Sequence, residues 1–361
     1  MTTVDKLIEE RKLPTLLKMK SGKTVKNAVD FEKRREEIKK ILAEEEYGYI
    51  PEKPDHLDVE LTCQKSFCAG KATHKLLKFT VTMGENKFFF PVQSVIPTAK
   101  GPHPAFIHID FNPGVPTRYT PSEEICDGGF AVFSFCYKDV TSDDGNFKNG
   151  IAKYFGGRRK ASSPGKIAMW AWAAMRVMDY VQTLAEIDRD NIAVCGHSRL
   201  GKTALVTGAY DNRFKFVISN DSGCSGASLA RKNTGESVQV ITNVCPFWFC
   251  PRYVKSASSF TEVSKFDQHF LLSLVAPRHL LIGSAKDDAW ADPTNEFLSA
   301  VAASEAYGIL GERGLIHNGE LPTAKTVLGE GKVCYHIRNG AHYFSREDWQ
   351  VYMEYIRKNL V

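Results

Sequence analysis

The stretch Asn191-Ile-Ala-Val-Cys-Gly-His-Ser-Arg-Leu-Gly-Lys202 constrains the fold of this chain more than any other. A short apolar run meets a tight turn carrying Ser198, and small helix-compatible residues follow, which reads as strand, elbow and helix. A serine on such a turn is held out at the carboxyl end of a strand, and the amides opening the next helix can receive an oxyanion. The pattern predicts acyl transfer. The usual spacing is Gly-x-Ser-x-Gly, whereas here Leu200 stands second after the serine and the glycine comes one later, at Gly201. An ordinary strand-to-helix turn has much the same composition, so the surrounding sequence has to decide.

That surrounding sequence has the texture of a parallel sheet. Pro104 to Phe111, Phe130 to Tyr137, Phe214 to Ser219, His279 to Ser284 and Val333 to Ile337 are short apolar runs separated by helical or polar segments. Upstream, Leu57 to Cys63, His74 to Met83 and Lys87 to Ile96 alternate and read as antiparallel strands, with Gly84-Glu85-Asn86 as a hairpin turn. Residues 30 to 46 place Phe31, Ile38, Ile41 and Leu42 on one side of an otherwise charged surface helix. Ser163-Pro164 reads as an N-cap and first helical position, and Ile167, Trp170, Ala171, Ala174, Met178 and Val181 then repeat at helical spacing as a core stripe beneath the Ser198 strand. A C-terminal amphipathic helix begins at about Glu347. The polar segment Asp139 to Pro164, with Gly156, Gly157, Arg158, Arg159 and Lys160, is either a wall of the active site or a solvated loop. The loop Asn112-Pro-Gly-Val-Pro116 stands where a second oxyanion amide often arises.

Composition excludes several function classes. With 43% hydrophobic and 25% charged residues the chain can bury a large core, and its 47 basic against 42 acidic residues include no basic run interleaved with aromatics, so a nucleic-acid groove is not expected. No apolar run is long enough to span a membrane. The N-terminus is charged and lacks a cleavable apolar leader, and the nine cysteines show no metal-type pairing, which together read as a reduced, cytoplasmic protein. The 361 residues are read as a single domain, with 1–56 as a helical lead-in.

A serine hydroxyl needs a base, and the base needs an acid to fix its tautomer. In α/β hydrolases these arrive in the chain order serine, acid, histidine, each after a strand. Here Ser198 follows one strand, Asp221 follows the next, Asp287 and Asp288 follow a third, and His342 comes after the last through a flexible Asn-Gly turn. The acid is left open between Asp221 and Asp288. The fold class is therefore α/β: an α/β-hydrolase, a three-layer sandwich around a mostly parallel doubly wound sheet.

Gly196-His-Ser-Arg-Leu-Gly-Lys-Thr-Ala204 resembles the Gly-Cys-Ser-Arg-x-Gly-Lys-x-Ala elbow of the glucuronoyl esterases, carbohydrate esterases that cleave the ester between xylan glucuronoyl groups and lignin alcohols. Asp221-Ser-Gly-Cys-Ser-Gly-Ala227, Gly235-Glu-Ser237, Pro246-Phe-Trp-Phe249, Ala276-Pro-Arg278, Asp288-Ala-Trp-Ala-Asp-Pro293 and Gly340-Ala-His342 resemble further segments of its bacterial members, in order. His197 departs from the cysteine that many members carry. The resemblance implies oxyanion binding by the Arg199 amide and guanidinium. It implies uronate recognition by Lys202, Glu236 and Trp290, with Gln239 as a further contact. Read as ordinary residues, Glu236 would pair with Arg231 or Lys232, and Trp290 would be core.

These readings converge on hydrolysis of glucuronoyl esters through an acyl-enzyme on Ser198, with no metal or organic cofactor. The substrate is then a small carbohydrate ester or a glucuronoxylan-derived oligosaccharide. A carbohydrate acetyl esterase and an inactive hydrolase-fold carbohydrate-binding protein are the alternatives. Lys202, Glu236 and Trp290 favour an acyl group large enough to need recognition.

Overall fold

The computed structural model describes residues 1–155 and 158–360; Gly156 and Gly157 of the long polar segment, and Val361, lie outside the described residues. Ten strands form one sheet: β1 (His56–Phe67), β2 (Ala72–Met83), β3 (Asn86–Pro97), β4 (His103–Asp110), β5 (Ala131–Cys136), β6 (Ile187–His197), β7 (Phe216–Asn220), β8 (His279–Ala285), β9 (Thr326–Leu328) and β10 (Val333–Arg338), in the order β1-β2-β3-β5-β4-β6-β7-β8-β10-β9. From β5 through β10 every neighbouring pair is parallel, and the three leading strands and β9 attach antiparallel. The chain reverses at Gly84, whose φ of 58° suits a glycine, so that Met83 faces Asn86. This register puts Phe79 opposite Phe90, their ring centroids 5.4 Å apart, and turns the alternating apolar residues of β2 and β3 onto one buried face.

Successive residues of a strand point to opposite faces, and β6 shows both to be covered. Ile192 and Val194 join the core containing the helices Lys166–Val181, Arg199–Tyr210 and Pro293–Ile309. Ala193 and Cys195 join a second core with Trp349, Tyr352 and Ile356 of the C-terminal helix Arg346–Lys358. The arrangement is a three-layer α/β/α sandwich. Burial on both faces is why these strands read as unbroken apolar runs.

Three local expectations need correction. Helix Lys166–Val181 begins after Gly165, which stands in extended conformation with no side-chain cap, while the Ser163 hydroxyl accepts from the Lys160 amide instead. A Cβ at position 165 would run into the Trp248 carbonyl, and the close packing there sets the helix start. That helix is buried nearly all round rather than along one stripe, because the lead-in covers its outer side, the Trp172 indole donating to the Glu52 carbonyl at 2.8 Å. The lead-in helix Ala28–Glu45 is likewise tied down: Arg35 is buried and donates to the carbonyls of Leu274 and Ala276, each at 2.7 Å. All nine cysteines are unpaired. Among the described residues, no helix is long and apolar enough to cross a membrane.

Candidate active site

Ser198 sits between β6 and helix Arg199–Tyr210 with φ 59° and ψ −128°, a strained backbone for any residue with a side chain. Its amide donates to the Asn220 carbonyl at 2.9 Å, which locks the elbow to β7. The glycine pattern follows from close approach. A Cβ on Gly196 would run into the Leu200 carbonyl, and one on Gly201 would crowd the Ser222 side chain and the Asn220 carbonyl. Leu200 itself is wholly buried, so at this elbow the small residue is needed at 201, where the helix crosses β7, rather than at 200. Arg199 is the first residue of the helix, and its amide has no intrahelical acceptor.

Ser198, Arg199, Lys202, Glu236, Trp290 and His342 line one cavity of about 330 Å³, which Asp221 and Asp288 also reach. The loop after β10 delivers His342, whose Nδ1 donates to Asp288 Oδ2 at 2.6 Å. Asp288 is 4% exposed at its side chain, His342 43%. The imidazole is thus gripped at Nδ1 by a buried carboxylate, while its open side faces the cavity. Asp287 is exposed, and Asp292 is occupied as the N-cap of helix Pro293–Ile309, accepting from the amides of Asn295 and Thr234.

Asp221 is differently placed. Its Oδ2 accepts from Arg338 Nη2 at 3.2 Å, and its Oδ1 has no partner among the described residues. Burial, with Glu296 and Asp348 nearby, pushes its carboxyl well above the usual range, although Arg338 opposes the shift. Arg338 also donates to the carbonyls of Ala341 and Tyr343, on either side of His342, and to Asp348 Oδ2 at 2.9 Å. Asp221 and Arg338 therefore brace the loop that carries His342, and the direct bond to the imidazole belongs to Asp288.

His197 packs its ring 4.4 Å, centroid to centroid, from that of His342, and its Nδ1 is held against Asn220 Oδ1 at 2.7 Å. Burial, and then His342 itself, bring His197 down to about 3, so it is a neutral wall beside the base. Ligand atoms of His197, Asp221 and His342 lie within 4.8 Å of one another, the one such cluster of metal-type side chains among the described residues. Each of the three already bonds to Asn220, Arg338 or Asp288.

On the other side of Ser198, Lys202 is buried and its Nζ donates to the Ser222 carbonyl. Burial lowers its pKa, and Glu236 opposes the shift. The loop bearing Glu236 lies directly on the Trp290 loop, the Glu236 amide donating to the Trp290 carbonyl at 2.9 Å. Gly235 makes this possible, since a Cβ there would meet the Trp290 and Ala289 carbonyls. Trp290 is 58% exposed, which rules out a core role, and Arg231 pairs with Asp267 rather than Glu236.

Other expectations are not met. Gln239 is exposed and outside the cavity lining, because helix Val238–Val244 turns Val238, Ile241 and Thr242 inward. The Asn112–Pro116 loop adds no residue to the lining either: the Asn112 amide is spent on Asp110 Oδ1 at 3.0 Å. No described residue of 139–164 lines the cavity. That segment instead sends Asp143 beneath it, to Arg199 and to the Trp248 indole. Sequence reasoning missed Asp143 and Arg338, which no periodicity marks. Trp248 was visible only as part of a shared segment.

Comparison with known proteins bears on the family and the fold. Residues 79–311 match the protein-family profile described as "Glucuronyl esterase, fungi". The chain is 32% identical to a carbohydrate esterase from an unknown prokaryotic organism, over 95% of this chain and 88% of that one. It is 28% identical to the 4-O-methyl-glucuronoyl methylesterase of Neurospora crassa, over 84% and 75%. The solved glucuronoyl esterase of Solibacter usitatus superposes with a TM-score of 0.89 at 31% identity, covering 97% of this chain and 98% of that one. With its α/β-hydrolase fold and the serine elbow at Ser198, the chain belongs to the glucuronoyl esterases, a family of carboxylic ester hydrolases.

Proposed function

We propose that the protein hydrolyses 4-O-methyl-glucuronoyl esters of xylan or of xylan-derived oligosaccharides through an acyl-enzyme on Ser198. In this reading His342 takes the Ser198 proton as the hydroxyl attacks the uronate carbonyl, and Asp288 holds the imidazole in the required tautomer and stabilises the imidazolium. The tetrahedral oxyanion is received by the Arg199 amide and guanidinium. Collapse passes the proton from His342 to the departing alcohol, and water repeats the cycle to release the free uronic acid. Asp221 is assigned to bracing rather than to proton chemistry.

The observation that carries the substrate assignment is the placing of Lys202, Glu236 and Trp290 in the same cavity as Ser198 and His342. A buried ammonium, a carboxylate and an exposed indole around one serine suit the hydroxyls and flat face of a sugar acid, whereas an acetyl group gives them nothing to hold. The name of the Neurospora crassa relative, a 4-O-methyl-glucuronoyl methylesterase, supports the same substrate. The test compares turnover of benzyl glucuronate, methyl galacturonate and p-nitrophenyl acetate by purified protein. Preference for the glucuronate is expected; preference for the acetate would favour an acetyl esterase, and no turnover of any ester would favour a binding protein.

A further inference from the structure

The cavity lining includes Arg199 but not the group that holds it. One guanidinium nitrogen, Nη1, donates to Asp143 Oδ2, and Nε has no hydrogen-bond partner among the described residues. The guanidinium also lies over two aromatic rings, its carbon 4.9 Å from the Trp248 ring centroid and 5.8 Å from that of Phe111. An arginine held this way has little rotamer freedom left, and of its five N–H donors only one on Nη1 is spent on an acceptor among the described residues.

Asp143 is fixed from three directions. Besides Arg199, Tyr137 donates its hydroxyl to Oδ2 at 2.8 Å, and the Trp248 indole donates to Oδ1 at 2.7 Å. The carboxylate side chain is only 9% exposed. Tyr137 follows β5, Trp248 follows the helix after the Glu236 loop, and Asp143 belongs to neither, so a single carboxylate ties three separate segments around the serine elbow.

We propose that Asp143 is a positioning residue for ester hydrolysis: it holds Arg199 so that the guanidinium is pre-set to receive the oxyanion formed at Ser198. This rests on the proposed role of Arg199 and adds the residue through which that role is set. Preorganisation of this kind acts on the transition state and leaves ground-state binding nearly untouched. It is also blind to the acyl group, since every ester develops the same oxyanion.

The experiment is a double-mutant cycle with Asp143→Asn, Arg199→Met and the pair, read as kcat and KM on benzyl glucuronate and on p-nitrophenyl acetate. Asparagine keeps an acceptor for Trp248 and removes the charge that grips Arg199. A fall in kcat of about tenfold or more on both substrates is expected, with KM within about threefold, and the fall should vanish when Arg199 is already methionine. Asp143→Glu, which restores the charge, should recover part of the loss. Full activity of Asp143→Asn, an equal loss in the Arg199→Met background, or a rise in KM confined to the glucuronate would each overturn the proposal, the last by pointing to Trp248 alone. Failure of the wild-type protein on glucuronate with activity on acetate would instead count against the substrate assignment and leave the acetate cycle to judge Asp143.

Discussion

Replacing Asp288 by asparagine removes the charge from the one carboxylate bonded to His342, and the size of the loss can be worked from the geometry. The bond is 2.6 Å long and the carboxylate side chain is 4% exposed. A unit charge about 4 Å from the imidazolium centre is worth about 4 kcal/mol at an effective dielectric of about 20, which corresponds to roughly a thousandfold in rate. Misplacing the tautomer adds to this, so kcat should fall about 10³- to 10⁴-fold. Asp221 lies within reach of the same imidazole, its ligand atom no more than 4.8 Å away. Its influence is smaller because burial disfavours its charged form and Arg338 stands 3.2 Å from it with the opposite sign. Asp221→Asn should therefore cost less than about tenfold in kcat, through looser bracing of the His342 loop. The double variant should be worse than Asp288→Asn alone, since the residual field of Asp221 then disappears too, whereas Asp287→Asn should change little. The assay is steady-state hydrolysis of benzyl glucuronate by the purified variants, with melting curves to show that each is folded. A larger loss from Asp221→Asn than from Asp288→Asn, or an active double variant, would refute the reasoning.

Lys202→Gln and Glu236→Gln should each lower kcat/KM for glucuronate esters by about ten- to a hundredfold while changing p-nitrophenyl acetate turnover by no more than about threefold, because lost polar contacts penalise only the substrate that made them. Equal losses on both substrates would mark the two residues as structural. Outside the cavity lining, burial pushes Glu46 up to about 8, and its Oε1 accepts from Gln268 at 2.8 Å. In the unfolded chain this group ionises near 4.5, so the folded state loses stability as pH rises from that value to about 8. Glu46→Gln, which keeps the acceptor and cannot ionise, should gain in Tm over the wild type as pH rises through this window; a difference that stays constant with pH would contradict the shift.

The parallel part of the sheet was legible because its strands are covered on both faces, so that β4 to β8 and β10 appear as apolar runs, and because the turn chemistry of Gly84 and the Ser198 elbow leaves a local signature. That Ser198 and His342 meet in one cavity was legible from their places at strand ends. The choice of acid was not: Asp221 and Asp288 both follow strands and both reach the cavity, and only the folded bonds of His342 to Asp288 and of Arg338 to Asp221 separate them. Asp143 was hidden for a related reason, since two of its three partners, Arg199 and Trp248, lie 56 and 105 residues away and its own segment has no period. Gln239, carried over from the resemblance, stands on the exposed side of the seven-residue helix Val238–Val244 and outside the cavity lining. Trp290 ran against its apolar character, being exposed in the cavity lining rather than buried in the core.

The most direct test of the account is hydrolysis of benzyl glucuronate by the wild-type protein, Ser198→Ala and His342→Ala side by side, each checked for an intact melting transition. Turnover by the wild type with near-complete loss in both variants is the predicted result, because serine and base act as one unit. Near-normal turnover by folded Ser198→Ala would contradict the acyl-enzyme at its root.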